Sequence, residues 1–153
     1  MKSEVEDIDT EILKILSKDG REFKSNIAEK LGHSPNTIKK HIEDLEANGT
    51  IKNYGIQIDF EKLGYDIIAL IEVTISKGKM LEVERDIADH PNIYGVYDVT
   101  GEYDAIILAR FKTRNELSSL VKKINSYEYV VRTNTHLILN VIKEGTSFSD
   151  LME

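Results

Sequence analysis

Seven side chains between positions 24 and 41 have the chemistry to grip a polyanion. Lys24, Lys39 and Lys40 carry ammonium groups and His41 a ring N–H. Ser34, Asn36 and Thr37 add short hydrogen-bonding groups that suit phosphate oxygens and base edges alike. From Arg21 to Ile42 there are five basic residues (Arg21, Lys24, Lys30, Lys39, Lys40) against Glu22 and Glu29. That leaves a local charge of +3, with His33 and His41 in addition, in a chain whose formal net charge is −7. The overall charge argues against nonspecific coating of nucleic acid, whereas the local patch is the footprint expected of a module that reads it. A merely solvated helix face is the alternative, but it does not require the charge to gather around one turn. Glu43, Asp44 and Glu46 follow directly and confine the patch.

The scaffold under these residues is legible in the spacing. Ile27, Ala28 and Leu31 mark one face of a short helix. Gly32 then stands where the chain must turn sharply. Ser34 is positioned to cap a new helix, with Pro35 at its first position, where a missing N–H costs nothing. Ile38, Ile42 and Leu45 form the buried stripe of that second helix. Two helices so joined are either an ordinary helical hairpin or a helix-turn-helix. The latter offers the second helix to the major groove while the first crosses the phosphate backbone.

Around this pair the chain orders itself. Asp9 to Lys18 is predicted to be a helix capped by Asp9 or Thr10, with Ile12, Leu13, Ile15 and Leu16 inward. Ile51 to Phe60 changes to an alternating period (Tyr54, Ile56, Ile58, Phe60) and predicts a linking strand that must pair with something. Beyond it come a strand over 66–76, a helix over 79–90, strands over 93–100 and 103–111 joined at Gly101-Glu102, a helix capped by Thr113, and a strand over 130–143. The fold class is α+β. A three-helix helix-turn-helix domain and a linking strand precede a βαββαβ, ferredoxin-like αβ-sandwich. Right-handed crossovers place both helices on one sheet face. The opposite face is expected to carry apolar side chains from every strand, to be covered by a second copy in a C2 dimer. The expected divisions are 1–50 for the helix-turn-helix domain, 51–63 for the linker strand and hinge, 64–145 for the ferredoxin-like domain, and 146–153 for a frayed tail.

Other chemistries find little footing. The chain has no cysteine, so disulfides, thiolate metal sites and a cysteine nucleophile are excluded. His33, His41, His90 and His136 show no metal-ligand spacing, and no metal or cofactor is expected. Asp98, Glu102 and Asp104 gather near the hairpin, but an oxygen cage needs more convergent groups. Tyr94, Tyr97 and Tyr103 offer faces for base stacking, and equally for packing at an interface. There is no phosphate-cradling loop or nucleophile elbow. The acidic N-terminus has no apolar secretion core, and no apolar run nears the ~18 residues of a membrane span. A cytoplasmic protein away from the membrane is expected.

Several fragments in order carry a resemblance. They are Asp9-x-x-Ile12-Leu13, Asp19-Gly20-Arg21, Ile27-Ala28-x-x-Leu31-Gly32-x-Ser34, Leu45-Glu46-x-x-Gly49-x-Ile51, Leu63-Gly64 and Gly101-x-Tyr103-Asp104. Over nearly its full length the chain resembles the Lrp/AsnC, or feast/famine, family of prokaryotic transcription regulators. It departs at His33, where the family usually has an aliphatic residue, and at His41, where arginine is common. The resemblance implies double-stranded promoter or operator DNA as a partner and a homodimer that assembles to a tetramer or octamer. It also implies an amino-acid effector near Gly101, Glu102, Tyr103 and Asp104, with hydroxyls from Thr133 and Thr135. In that reading Gly101 admits a ligand to backbone N–H groups and Asp104 pairs with an α-ammonium. The alternative is a plain hairpin glycine, a solvated aspartate and threonines chosen for strand propensity.

The expected function is therefore a sequence-specific transcription regulator, not an enzyme, whose assembly or DNA binding responds to a small effector. An effector-independent architectural DNA-binding protein is the alternative. A remote one is a tetrapyrrole decarboxylase of similar architecture. Such enzymes look to carry a histidine- and aromatic-rich stretch where this hairpin, IYGVYDVTGEYDAIIL, has no histidine.

Overall fold

The computed structural model describes residues 6–145 and 149–152. Two compact units emerge: one runs up to Gln57 and is joined by the chain from Lys143 onward, the other spans Ile58–Ile142. The acidic stretch through Val5, residues 146–148 of the expected tail, and Glu153 lie outside the described residues.

In the first unit three helices, α1 (Asp7–Lys18), α2 (Lys24–Leu31) and α3 (Pro35–Ala47), close around Ile12, Ile27, Ala28, Ile38, Ile42 and Leu45, all buried. Removing each large apolar side chain from water is worth ~1.5–3 kcal/mol. The start of α1 corrects the expectation. Its cap is Glu6, not Asp9 or Thr10, and Asp9 is instead the third helical residue, whose Oδ2 accepts the Glu6 N–H at 3.1 Å. The turn between α2 and α3 follows the sequence closely. Gly32 sits at φ +69°, a left-handed conformation that only glycine adopts cheaply. The His33 N–H donates back to the Ala28 carbonyl at 2.9 Å, and Ser34 Oγ accepts the Thr37 N–H at 3.1 Å. In the expected tail, Ser149–Leu151 forms a 3-10 turn beside α1 with Ser149 buried, rather than fraying. A three-residue turn has no hydrophobic period by which to announce itself.

The linking strand is a second correction. From Lys52 to Asp59 the chain joins no ladder, and Tyr54, Ile56 and Ile58 are exposed, Ile56 by 82%. The alternating pattern is real, but a strand exists only where a neighbour supplies hydrogen bonds. Side chains fasten the segment where no ladder does. The Tyr54 hydroxyl donates to Glu46 Oε1 at 2.8 Å, and burial together with this carboxylate pushes its pKa up to about 12.

The second unit is the expected βαββαβ arrangement: β1 (Ile67–Ile75), α4 (Met80–Ile87), β2 (Ile93–Asp98), β3 (Ala105–Phe111), α5 (Arg114–Asn125) and β4 (Val130–Leu137). The strands lie in the order β2-β3-β1-β4, antiparallel throughout. Alternate residues of β1 (Ala69, Ile71, Val73, Ile75) and β3 (Ala105, Ile107, Ala109, Phe111) meet Val83 and Ile87 of α4 and Leu120 and Ile124 of α5. Helix α5 opens with a reciprocal capping box, Thr113 Oγ1 taking the Glu116 N–H at 3.2 Å and Glu116 Oε2 the Thr113 N–H at 2.9 Å.

Three details of this unit differ from expectation. First, β4 stops at Leu137 instead of Lys143, because β1 offers its last partners at Ala69 and Ile68. Second, the turn between β2 and β3 is wider than Gly101-Glu102. Asp104 turns toward β1, its N–H donating to the Val73 carbonyl at 3.0 Å and its Oδ2 accepting the Ile75 N–H at 2.7 Å. Third, the face away from the helices is not apolar on every strand. It carries Ile68 and Leu70 on β1, Ile106 and Leu108 on β3, and Tyr94 and Tyr97 on β2, but Arg132, Asn134 and His136 on β4.

Candidate nucleic-acid interface and effector cleft

On α3 the buried stripe of Ile38, Ile42 and Leu45 turns Asn36, Lys39 and Lys40 outward, and all three are exposed. Lys39 makes only a loose 3.7 Å pair with Glu43, one turn on and equally exposed, of a kind worth little in water. Lys24 begins α2 and is also exposed. Among the described residues neither Lys24 nor Lys40 has an ion-pair partner, so both ammonium groups are available to an outside anion. Ser34 and Thr37 are partly committed already. Beyond the cap, their hydroxyls share a 2.9 Å hydrogen bond.

His41 is placed differently from its neighbours. It is half-buried, and its Nδ1 lies 2.7 Å from Oδ1 of Asp9, a residue buried on α1. Where the sequence grouped His41 with the outward-facing side chains, the structure makes it a tie between α3 and α1. With Glu6 these two bring a ring nitrogen and two carboxylate oxygens within 4.8 Å of one another, but the Asp9 oxygens are already committed to His41 and the Glu6 N–H. His41→Ala is expected to leave the buried Asp9 carboxylate short of a donor and to lower the stability of the helical unit by ~1–3 kcal/mol. Urea denaturation followed by circular dichroism measures this. A midpoint equal to that of the unmodified chain would mean the tie adds nothing to stability.

The second site lies on the open face of the sheet. Glu72, Asp98, Val99, Thr100, Glu102, Tyr103 and Ile106 line an open cleft of about 670 Å³. Arg132 Nη2 binds Glu102 Oε1 at 2.7 Å, and its guanidinium lies 4.9 Å from the centre of the Tyr103 ring. Glu72 accepts from His136 at 2.8 Å and from Asn134 at 3.0 Å, and these bonds hold its carboxyl below the ordinary range, that of His136 most strongly. The Asp98 carboxylate has no hydrogen-bond or ion-pair partner among the described residues. Gly101 takes φ +127°, and a Cβ added there would meet nothing within 4 Å, so the turn leaves room beside its backbone.

Of the six residues expected around an effector, Glu102 and Tyr103 line this cleft, and Gly101 stands in the turn between its lining residues Thr100 and Glu102. Asp104 is bound to the Ile75 N–H through one oxygen. Thr133 and Thr135 are separated from it: they pair with Val73 and Ile71 and so share the helix-side face of the sheet, where Thr133 bonds Asn125 of α5. Their period of two was right, but the register sends the even-numbered neighbours, Arg132 and Asn134, to the cleft face. The lining residues that sequence reasoning missed are Glu72, Val99, Thr100 and Ile106, and Asp98 was weighed there only as a possible cation ligand. Glu72 had a signal, being the one charge inside an apolar strand.

Comparison with known proteins places both units. Residues 5–52 match the winged helix-turn-helix DNA-binding family model, and residues 68–148 match that of the Lrp/AsnC ligand-binding domain. An HTH-type transcriptional regulator of Pyrococcus furiosus is 40% identical over 141 residues, covering 92% of this chain and 95% of the relative. The regulator FL11 of the same organism is 36% identical over 146 residues, covering 95% of this chain and 97% of its own. Among solved structures, a transcriptional regulator of Neisseria meningitidis in complex with L-Met superposes with a TM-score of 0.83 at 26% identity, over 94% of this chain and 95% of that one. A helix-turn-helix unit followed along the chain by an Lrp/AsnC ligand-binding unit is thus shared with proteins of one kind. The chain belongs to the Lrp/AsnC family of DNA-binding transcriptional regulators.

Proposed function

We propose that this regulator reads promoter or operator DNA through the exposed half of α3 and answers to an amino-acid effector held at the β2–β3 cleft. The observation that carries the first part is the outward set of Asn36, Lys39 and Lys40 in the first half of α3, with Lys24 exposed at the start of α2. Asparagine suits the adenine edge and lysine suits guanine or phosphate. Ser34 and Thr37 add hydroxyls at the helix start, while His41 acts by fixing α3 to α1.

The effector reading is supported by the family match of the second unit and by the cleft itself. An α-ammonium group finds a lining that includes Glu72, Asp98 and Glu102, and an α-carboxylate finds the Arg132 guanidinium beside Glu102 and the open turn at Gly101. The relative solved with L-Met supports an amino acid as the class. Two copies of the chain cover their open sheet faces and the unpaired linker stripe against each other, and such dimers build tetramers or octamers in the cytoplasm. Residues 1–50 then bind DNA, 51–63 link and hinge, 64–145 bind effector and assemble, and 146–153 form the tail. An effector shifts the assembly only through its differential affinity for the two states.

Hydroxyl-radical footprinting on DNA from upstream of the protein's own gene tests this. Discrete protected segments with centres one helical turn apart, about 10 bp, or a multiple of it, are the expected result for paired recognition helices. Unbroken protection that is the same on unrelated DNA would instead favour an architectural role.

A further inference from the structure

Phe23 stands at the cap position of α2 with 72% of its surface exposed, and its side chain makes no capping hydrogen bond. Elementary helix chemistry prefers the opposite there, since serine, threonine, aspartate or asparagine would satisfy one of the free N–H groups that open a helix. The residue is not compensated by packing, because the core of the helical unit closes around Ile12, Ile27, Ala28, Ile38, Ile42 and Leu45 without it. Its surroundings are cationic. Arg21, two residues before it, and Lys24, directly after it, are exposed. The nearest carboxylate, Glu22, is neutralised by Lys30 at 2.6 Å and also accepts from Asn26 at 2.9 Å and from the Phe23 N–H at 3.1 Å. An exposed aromatic ring with exposed cations two residues before it and one after it, at the end of the helix that crosses the DNA backbone in a helix-turn-helix, complements a surface that is both anionic and apolar. The sugar–phosphate backbone of a duplex is such a surface, with charged oxygens alternating with deoxyribose carbons.

We infer that Phe23 is a DNA-binding residue that packs against deoxyribose of the backbone strand crossed by α2, with Lys24 on the adjacent phosphate. This rests on the DNA-binding reading above and extends it to a residue outside the polar set. The interaction is apolar and releases no counterion, so it adds affinity without adding to the salt dependence. It also explains why a position suited to a capping side chain holds a phenylalanine.

The test pairs two readouts on the full chain, thermal melting and anisotropy titration with upstream-gene DNA over a range of salt. Phe23→Ser is expected to raise the melting temperature by about 4 °C, the ordinary effect of a restored cap. The same variant is expected to bind DNA about tenfold more weakly, the effect of losing the burial of one aromatic face, with the slope of log K against log salt unchanged. Phe23→Leu keeps an apolar side chain and is expected to hold affinity within about threefold, which sets DNA packing apart from a structural role. Lys24→Ala is expected to flatten the slope by ~1. A Phe23→Ser protein that binds as tightly as the unmodified chain overturns the inference, as does one whose slope falls along with its affinity. If the unmodified chain binds no DNA, the DNA-binding reading fails first and this inference with it.

Discussion

Replacing Lys39 and Lys40 together with alanine is expected to weaken DNA binding at least tenfold and to flatten its salt dependence. Both ammonium groups leave the exposed side of α3 while its buried stripe of Ile38, Ile42 and Leu45 stays intact, so the helix itself persists. A hydrogen bond to a charged group contributes ~1.5–3 kcal/mol, and about 1.4 kcal/mol is already tenfold in affinity. Every phosphate that is no longer neutralised by a lysine takes ~1 from the slope of log K against log salt. If one of the two lysines reads a base edge instead, the slope falls by about one unit rather than two, and preference for the upstream DNA falls with it. An unchanged slope would mean that neither touches phosphate. Loss of the loose Lys39–Glu43 pair changes stability little, because both partners are more than half exposed. Melting curves of the double variant are therefore expected to overlay those of the unmodified chain.

The largest effect on stability is expected from Phe111→Ala. Phe111 is fully buried at the end of β3, on the sheet face that meets α4 and α5. Truncation of a buried phenylalanine costs ~3–5 kcal/mol through lost transfer energy and the cavity left behind. The effector unit holds a single core layer, so a loss of that size is a large part of the roughly 5–15 kcal/mol that native domains have. Differential scanning calorimetry is expected to show the transition of the effector unit shifted down while the helical unit, whose core is separate, melts as before. A single transition that moves as a whole would show that the two units unfold together.

How much of the molecule is legible in the sequence depends on where the information resides. The helix-turn-helix is readable because each device is local: the apolar stripe of α3, the glycine that turns left-handed, and the serine that caps. The βαββαβ order is readable for the same reason, through periods of two and of 3.6. What escapes is non-local. Asp9 looks like a helix cap, but it is the buried partner of a histidine 32 residues away, which the spacing of α1 does not encode. Thr133 and Thr135 alternate correctly, yet which face they occupy follows from their register against β1. The linker shows the converse case. Its alternation at Tyr54, Ile56, Ile58 and Phe60 is a strand pattern awaiting a neighbour, and exposure rather than pairing is what a single copy gives it. Asp98 stands out in the sequence only as a possible cation ligand, because the cleft it lines is assembled from β1, β2 and β3.

The most direct test of the central claim is an anisotropy titration of the full chain against DNA from upstream of its own gene and against random DNA of equal length. Each is run with and without a pool of amino acids. A ligand-responsive regulator binds the upstream DNA more tightly, loses that preference in the Lys39/Lys40 double alanine, and changes affinity with at least one amino acid. Equal affinity for both DNAs, indifferent to every amino acid in the pool, would contradict it.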